Sequence, residues 1–353
     1  MTNSEKQTKE QLATSGEQST ITGVLITGGG GFLGSHLAEH FMRKNIPVTC
    51  VDDFCTGLKS NQKYLEELDI PEKKFQFIET DVTASWNSWV GIIKNTNISH
   101  IFHFASPASP PHYQRLSVET MWVNTKGLEN AILFADQINA RVIFASTSEI
   151  YGDPEFSPQK ESYWGNVNTQ GPRSCYDEAK RMGEAVLYSY NLKNKTNHGL
   201  VRIFNTYGPR MNPNDGRVII NFLVQALLGK DLTIYGTGSQ TRSFCYVDDL
   251  VSAITRYAAT SLTIPVNVGN ETEFTILELA QLVEKIFSGN KLKLHFFDLP
   301  KDDPRQRRPD LTLAKQVLSP WQPQINLALG LEKMLEWLKT EDLEKIQMAG
   351  KPL

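Results

Sequence analysis

A run of four glycines near the N-terminus is the feature that most constrains the fold of this chain. The run, residues 28–31, lies between an apolar segment at 22–27 and helix-forming sequence at 35–44. A second apolar segment, 47–52, ends on an acid, Asp52. Glycines at such a turn let backbone N–H groups approach a pyrophosphate at a helix N-terminus, and the acid accepts hydrogen bonds from ribose hydroxyls. The pattern predicts a dinucleotide site at the start of a parallel α/β sheet.

The residue types at this turn predict individual contacts. We expect Gly28, Gly31 and Gly34 to form the turn under the pyrophosphate, with Asp52 on the adenosine ribose. A carboxylate at that place repels a 2′-phosphate, so NAD is favoured over NADP. Asp81 ends the next apolar segment and faces the adenine edge in this interpretation. A turn residue at the end of a strand is the alternative for Asp81.

The alternation of strands and helices continues along the chain. Apolar segments at 75–81, 100–105, 141–146 and 201–205 alternate with helix-forming sequence. The pattern predicts an α/β fold, a Rossmann-like doubly wound parallel sheet with a smaller α/β substrate-binding lobe. Ligands bind such sheets at the carboxyl ends of the strands. A loop with three prolines, 106–113, follows the fourth strand and is therefore expected at the site.

A tyrosine and a lysine four residues apart, Tyr176 and Lys180, share one face of a predicted helix. A free tyrosine titrates near pH ~10, and a neighbouring ammonium lowers that pKa towards general-base work at neutral pH. The spacing alone also fits a solvated helix face. The predicted dinucleotide site upstream favours a catalytic role for this pair. So do Thr147, Ser148 and Glu149, which follow the fifth strand at the same edge of the sheet. A capping acid is the alternative for Glu149.

The domain organisation follows from these segments. We expect a disordered tail at 1–20, a dinucleotide-binding domain at 21–204, a substrate lobe at 205–340 and a second tail at 341–353. A strand and helix near 244–270 are expected to return to the first domain. Scattered arginines in the lobe suggest a pocket for a second diphosphate. They are Arg210, Arg217, Arg242 and Arg307.

Bulk composition excludes several classes of function. At 353 residues and a net charge of −3, the chain has no electrostatic case for binding nucleic acid or an anionic membrane. Its four cysteines are scattered, which argues against a disulfide framework and a zinc site, so we expect no metal. Residues 1–20 are polar and lack an apolar core, so neither a signal nor a membrane anchor is expected. The composition predicts a soluble, cytoplasmic protein.

Several long strings resemble one enzyme family. The glycine turn, Thr-Ser-Glu and Tyr-x-x-x-Lys, in this order, resemble the extended short-chain dehydrogenase/reductases that act on nucleotide sugars. The nearest resemblance, over about residues 22–338, is to the UDP-glucuronic acid decarboxylases. It rests on SPASPP at 106–111, STSEIYGDP at 146–154, GPRSCYDE at 171–178, RIFNTYGPRM at 202–211, NDGRV at 214–218 and GSQTR at 238–242. Asp53 departs from the asparagine usual in the family, which puts the fine cofactor contacts in doubt.

The resemblance implies a reaction and a set of site residues. UDP-glucuronic acid would be oxidised at C4, lose carbon dioxide, gain a proton at C5 and be reduced again to UDP-xylose by tightly held, recycled NAD. The implied catalytic residues are Tyr176, Lys180, Thr147, Ser148 and Glu149. The implied cofactor contacts are Gly28, Gly31, Phe32, Leu33, Gly34, Asp52, Asp53, Asp81, Ala105, Tyr176 and Lys180. The implied substrate contacts are Pro107, Tyr113, Glu149, Asn205, Arg210, Arg217, Tyr235, Gln240, Arg242 and Arg307.

Ser148 distinguishes between relatives. The 4,6-dehydratases of similar fold carry an acid at this position, because loss of the C6 hydroxyl as water needs one, whereas loss of carbon dioxide does not. Epimerases typically lack the Ser-Glu pair. These two enzyme classes are the alternatives of the same fold. A non-enzymatic NAD-binding scaffold predicts a degraded Tyr–Lys pair or threonine, and Thr147, Tyr176 and Lys180 are intact.

The resemblance also implies a homodimer. In resembling enzymes two helices of each subunit form an intersubunit four-helix bundle. The corresponding stretches here, 118–137 and 178–192, carry apolar residues on more than one face. These residues include Trp122, Leu128, Leu133, Leu187 and Tyr190.

Overall fold

The computed structural model describes residues 19–287, 292–299 and 306–341. The predicted tails, 1–20 and 341–353, lie outside these residues except for Ser19, Thr20 and Glu341.

The secondary structure alternates as the sequence predicts. The strands of the described residues are β1 (Val24–Thr27), β2 (Val48–Asp52), β3 (Phe75–Glu79), β4 (His100–His103), β5 (Arg141–Thr147), β6 (Gly199–Ile203), β7 (Thr206–Tyr207), β8 (Leu232–Tyr235), β9 (Thr241–Ser243), β10 (Cys245–Tyr246), β11 (Val266–Val268), β12 (Glu273–Thr275), β13 (Leu294–Phe297) and β14 (Gln306–Arg307). The helices are α1 (Phe32–Arg43), α2 (Lys59–Glu67), α3 (Pro110–Arg115), α4 (Ser117–Trp122), α5 (Leu128–Ile138), α6 (Ser174–Asn194), α7 (Val218–Leu227), α8 (Val247–Ala258), α9 (Ile276–Ile286), α10 (Thr312–Val317) and α11 (Leu327–Leu338). A π-helical turn, Val123–Gly127, joins α4 to α5, and 3₁₀ turns lie at Trp86–Ser88, Val90–Ile92 and Ser148–Tyr151.

The main sheet has seven strands in the order β11-β6-β5-β4-β1-β2-β3. Each neighbouring pair is parallel. The strand order reverses between β1 and β4, where Thr27 pairs with His103. In doubly wound sheets a ligand binds in the crevice beyond the carboxyl ends of the strands at this reversal. The predicted Rossmann-like sheet is confirmed.

Helices cover both faces of this sheet. On one face Val24 and Ile26 of β1 belong to a core cluster that includes Leu37 and Phe41 of α1. On the other face Leu25 belongs to a second cluster, with Leu128 and Ile132 of α5 and Leu187 of α6. The alternation along β1 is the period of two that a strand buried on both faces requires.

The rest of the chain forms small sheets beside the main one. They have the orders β10-β7, β12-β9-β14 and β13-β8. The first core cluster continues into this region through Phe222 of α7, Leu279 of α9 and Met334 of α11. After β10, α8 leads back to β11, which pairs with β6 at the edge of the main sheet. The domain limits given from the sequence stay a prediction.

Helix α6 packs closely on β5 and carries the Tyr–Lys pair. Its buried face includes Tyr176, Lys180, Gly183 and Leu187, which recur at helical spacing. A Cβ at Gly183 would lie 2.6 Å from the ring of Phe144, so glycine permits the close approach. The opposite face of α6 exposes large apolar side chains, among them Met182, Tyr188 and Leu192. Among the described residues, no helix has both the length and the apolar character needed to cross a bilayer.

Candidate active site

The glycine turn forms a cradle between β1 and α1. Gly28 has a φ of +76°, and a Cβ there would lie 2.8 Å from the backbone nitrogen of Ala105. A Cβ at Gly34 would lie 2.0 Å from the carbonyl oxygen of Gly28. Side chains at these two positions would therefore collide with backbone. Because α1 begins directly after Gly31, its first N–H groups point to a cradle that a pyrophosphate can approach closely.

Asp52 lies at the end of β2 beside this cradle. Its Oδ2 accepts a hydrogen bond from the backbone N–H of Gly30 at 2.9 Å, and its Oδ1 accepts one from Phe54 at 2.8 Å. Burial raises the pKa of Asp52 to about 6, because these hydrogen bonds only partly offset the loss of water. The neighbouring Asp53 instead accepts a hydrogen bond from the N–H of Cys55 at 3.0 Å. The donor-rich cradle and the adjacent carboxylate fit a dinucleotide.

The cradle opens into a cavity of about 720 Å³ at the carboxyl edge of the sheet. The predicted cofactor residues all line this cavity, namely Gly28, Gly31, Phe32, Leu33, Gly34, Asp52, Asp53, Asp81, Ala105, Tyr176 and Lys180. Asp81 also bonds within its own loop, accepting from the N–H of Thr83 at 2.7 Å. Both interpretations of Asp81, adenine contact and turn residue, therefore fit the same position.

The predicted catalytic residues meet where β5 ends against α6. Thr147 is the last residue of β5, and a 3₁₀ turn carries Ser148 and Glu149. The hydroxyl of Thr147 accepts a hydrogen bond from the N–H of Glu149 at 3.2 Å, which fixes the turn. Thr147, Ser148, Glu149, Tyr176 and Lys180 all line the cavity.

The electrostatics of the Tyr–Lys pair differ from the sequence expectation. Burial raises the pKa of Tyr176, and a hydrogen bond with Thr147 and the charge of Arg217 oppose this only in part. Burial also lowers the pKa of Lys180 to about 7. The Lys180 ammonium donates to the carbonyl oxygen of Ala145 at 2.6 Å and lies 5.7 Å from the centre of the Tyr176 ring. The expectation that Lys180 lowers the pKa of Tyr176 is therefore wrong for the protein without ligands, because desolvation of both groups dominates.

Glu149 lies between two arginines, Arg173, which is partly buried, and Arg307, which is buried. Arg173 and Arg307 both bond to its Oε2 oxygen, Arg307 at 2.9 Å. Desolvation alone would raise the pKa of this carboxyl, but the charges of Arg173 and Arg307 outweigh it and lower the pKa to about 2. Glu149 is therefore a carboxylate at any physiological pH and acts as a hydrogen-bond acceptor.

The predicted substrate residues also line the cavity, namely Pro107, Tyr113, Glu149, Asn205, Arg210, Arg217, Tyr235, Gln240, Arg242 and Arg307. Tyr113 stacks on Tyr176 with ring centres 5.1 Å apart. Gln240 donates to the carbonyl oxygen of Tyr235 at 2.7 Å, which ties the two ends of the loop between β8 and β9. Arg217 is held by both carboxylate oxygens of Asp215, one of them at 2.7 Å.

Arg210 has its partners beside the glycine cradle, apart from the other arginines. It pairs with Glu39 of α1 at 2.6 Å, and its guanidinium lies 4.5 Å from the centre of the Tyr64 ring. Asn61 links the carbonyl oxygens of Arg210 and Gly30 through its amide nitrogen. These contacts lie beside the glycine cradle, and the grouping of Arg210 with a second diphosphate stays a prediction.

Sequence reasoning missed two charged residues of the site. Arg173 lies inside a string that had been noted only for resemblance, yet it stands three residues before Tyr176, about one helical turn. That spacing could have placed it beside the same site. Asp215, the partner of Arg217, also lies in such a string, NDGRV at 214–218, two residues before Arg217.

Known proteins share this arrangement. A family model described as the NAD dependent epimerase/dehydratase family matches residues 24–269. The chain belongs to this family. A relative from Danio rerio, UDP-glucuronic acid decarboxylase 1, is 44% identical over 318 residues, which cover 90% of this chain and 73% of the relative. UDP-glucuronic acid decarboxylase 5 of Arabidopsis thaliana is 44% identical over 315 residues, 89% of this chain and 88% of the relative.

Solved structures of the family have the same fold. UDP-glucuronic acid 4-epimerase from Bacillus cereus, in complex with UDP-glucuronic acid and NAD, superposes with a TM-score of 0.78 at 26% identity over 90% of this chain and 98% of its own. UDP-glucose 4-epimerase from Thermotoga maritima, with UDP-glucose, gives a TM-score of 0.79 at 25% identity over 90% of this chain and 98% of its own.

The position of Asp52 generates a test of cofactor choice. NAD should bind more tightly than NADP. Asp52→Asn should reduce the ratio of the two dissociation constants at least about tenfold, because the mutation removes a charge that repels the 2′-phosphate. Asp53→Asn, the control, should leave most of this ratio, since Asp53 bonds to Cys55 instead of the cradle. Calorimetric titration of both cofactors measures the ratio.

The pH dependence supplies a second arm of the same test. Because the pKa of Asp52 is raised to about 6, NAD affinity should fall as the pH drops through that value and the carboxylate takes up a proton. Asp52→Asn should abolish this fall. If the wild type binds NAD and NADP equally well, Asp52 does not contact the adenosine ribose.

Proposed function

We infer that the chain is a UDP-glucuronic acid decarboxylase, which converts UDP-glucuronic acid into UDP-xylose and carbon dioxide. The relatives at 44% identity support this substrate and reaction. The observation that carries the choice of reaction is the state of the Thr-Ser-Glu turn. Glu149 is held as a carboxylate between two arginines, and Ser148 replaces the acid that a dehydratase needs. A turn whose acidic residue is held ionised has no proton to donate, which suits the loss of carbon dioxide and does not suit the loss of water.

The cofactor and substrate occupy opposite ends of the cavity in this proposal. Gly28, Gly31, Gly34 and Asp52 hold NAD, which when bound takes the hydrogen from C4 of the sugar and later returns it. At the other end, three arginines bind the diphosphate of the sugar nucleotide in this proposal, namely Arg217, Arg242 and Arg307. Asn205 is proposed to contact the same diphosphate. Tyr235 and Gln240 lie by the uracil.

Tyr176 is the general base of the proposed reaction. It removes the proton of the C4 hydroxyl as C4 is oxidised, and Thr147 shares the same oxygen as a hydrogen-bond partner. The raised pKa of Tyr176 describes the protein without ligands. A protonated Lys180 favours the phenolate, and oxidised NAD, once bound, would add a second positive charge that lowers the pKa of Tyr176.

The oxidised sugar then carries a ketone β to its carboxylate. The bond between C5 and C6 breaks, carbon dioxide leaves, and the bonding electrons move through C5 onto the C4 oxygen. Thr147 and protonated Tyr176 donate hydrogen bonds to that oxygen as its negative charge grows. C5 next collects one proton. Glu149, being ionised, accepts a hydrogen bond from the water or hydroxyl that delivers this proton.

A homodimer is proposed on the surfaces of α4, α5 and α6. Trp122 and Leu133 are exposed, as are Met182 and Leu192 on α6. Leu128 and Leu187, which the sequence grouped with them, are buried within the chain. Large apolar side chains that remain exposed on neighbouring helices are typical of a surface covered by a partner. The continuous stretch of α4 and α5 counts as one helix and α6 as the second. Together with the same pair of a second copy they form a four-helix bundle about a two-fold axis.

The proposed compartment is the cytoplasm. All four cysteines, Cys50, Cys55, Cys175 and Cys245, are free thiols, which fits a reducing environment.

The base assignment predicts the behaviour of Tyr176→Phe. The variant should bind NAD and UDP-glucuronic acid normally but lose turnover by about 10²–10⁴, the effect typical of removing a general base. Product formation followed by NMR, together with calorimetry of both ligands, separates the two effects. Tyr163→Phe, which lies outside the cavity, should turn over normally. Near-normal turnover of Tyr176→Phe would rule out the assignment, and a six-carbon product from the wild type would show a 4-epimerase instead.

The dimer predicts the behaviour of Leu192→Glu. Light scattering of the wild type at micromolar concentration should give twice the mass of one chain. A buried charge at the bundle should shift the variant to monomer by weakening association about tenfold or more. Leu329→Glu, on an exposed face of α11, is the matched control and should stay dimeric. A monomeric wild type contradicts the proposal.

A further inference from the structure

Arg173 connects the catalytic helix to the turn that carries Glu149. It immediately precedes α6, and its side chain is only 15% exposed. Its Nη2 donates to Oε2 of Glu149. The carbonyl oxygen of Arg173 accepts the N–H groups of Tyr176 and Asp177 at 3.0 Å. The residue that contacts Glu149 is therefore also the first residue of the turn that positions Tyr176.

Arg307 reaches the same oxygen from a different part of the chain. It lies on β14, 158 residues from Glu149, and also donates to the carbonyl oxygen of Ser148. Only 1% of its side chain is exposed. Glu149 is thus the point at which the turn after β5, the start of α6 and the small sheet containing β14 meet. Both cations bond to Oε2 of Glu149.

We propose that Arg173 is a positioning residue for the reaction, which holds Glu149 as an oriented carboxylate so that Glu149 acts as an acceptor and never as the acid. The proposal rests on the proposed function for its catalytic consequence. Its geometric part, the coupling between Arg173 and Glu149, stands independently.

Two arginines, Arg173 and Arg307, compensate for the hydration that the Glu149 carboxylate loses on burial. A buried carboxylate with one partner still loses much of its hydration, and loss of one partner from a buried pair is strongly destabilising. The charges of Arg173 and Arg307 are the largest of those that lower the pKa of Glu149. Removing Arg173 leaves Arg307, so the pKa of Glu149 should rise but the carboxyl should keep one partner.

Other charged and titratable groups also face Glu149. They are Tyr176 and Asp177 of α6, Tyr113 of α3, Arg217 before α7 and Arg242 of β9. Arg173 also lowers the pKa of Tyr113 and of Asp177. A shifted pH profile therefore reports the loss of Arg173, and the double variant and the Glu149 difference spectra assign the shift to Glu149.

The test is the pH profile of decarboxylation by Arg173→Gln. The acidic limb of kcat, measured at saturating NAD so that protonation of Asp52 does not set it, should move upward by about 1–3 pH units, because loss of a neighbouring positive charge raises the pKa of a carboxyl. The sign follows from ionised Glu149 being the active form, so activity is lost as the pH falls through its raised pKa. At neutral pH kcat should fall up to about 10²-fold from misplacement of the carboxylate, with KM changed much less.

Two further variants separate positioning from simple damage. Arg173→Lys keeps the charge and should return the limb close to its wild-type position while recovering only part of kcat. Arg181→Gln is the matched control, since Arg181 also holds this turn but through the carbonyl oxygen of Ile150 at 3.0 Å. Its profile should keep the wild-type limb. If the acidic limb of the kcat–pH profile of Arg173→Gln lies at its wild-type position, with or without a lower kcat, the proposal is overturned.

A double variant tests the coupling directly. If Arg173 acts through Glu149, then Glu149→Gln/Arg173→Gln should turn over no more slowly than Glu149→Gln alone. If the fold losses in turnover of the two single variants multiply in the double variant, the proposal is contradicted.

Infrared difference spectra of wild type against Glu149→Gln need no substrate and follow the Glu149 carboxylate with pH. In an Arg173→Gln background its protonation midpoint should rise by about 1–3 pH units. An unchanged midpoint overturns the coupling. Absence of decarboxylation by the wild type would instead refute the proposed function and leave this readout intact.

Discussion

Burying a single carboxylate next to a reaction centre is unfavourable by several kcal/mol unless opposite charges compensate for the lost water. Glu149 meets this requirement through Arg173 and Arg307, which come from distant parts of the chain. The ion pairs therefore connect the nucleotide-binding sheet, the catalytic helix and the small sheet with β14. The site is assembled only when all three are folded together, which links the architecture to the chemistry.

The same physics sets the protonation of the other residues proposed to be catalytic. Lys180 and Tyr176 are buried where α6 packs on β5, and burial disfavours the charged form of each. Glu149 is the exception, because two cations outweigh its burial. The reaction then has one ionised acceptor beside a neutral tyrosine, and bound oxidised NAD would supply the positive charge that favours ionisation of that tyrosine. This division suits a reaction in which carbon dioxide leaves without acid assistance.

Local patterns in the sequence predicted most of the fold and much of the site. The glycine turn and Asp52 lie within one βαβ unit, and Tyr176 and Lys180 lie within one helix, so short-range spacing was sufficient to place them. Contacts between distant segments could not be read in this way. Arg210 was grouped with the other arginines by residue type, which did not predict its contacts with Glu39 and Tyr64. The pKa of Tyr176 was misjudged, because its burial depends on how closely α6 approaches the sheet at Gly183.

Turnover of UDP-glucuronic acid in D₂O tests the central claim most directly. If C4 is oxidised before carbon dioxide is lost, C5 collects its new hydrogen from solvent, whereas the hydrogen of C4 is retained. NMR of the product should therefore show UDP-xylose with a single deuterium at C5, none at C4, and no net accumulation of reduced cofactor. Deuterium at C4, or a six-carbon product with an inverted C4 hydroxyl, would contradict decarboxylation at this site.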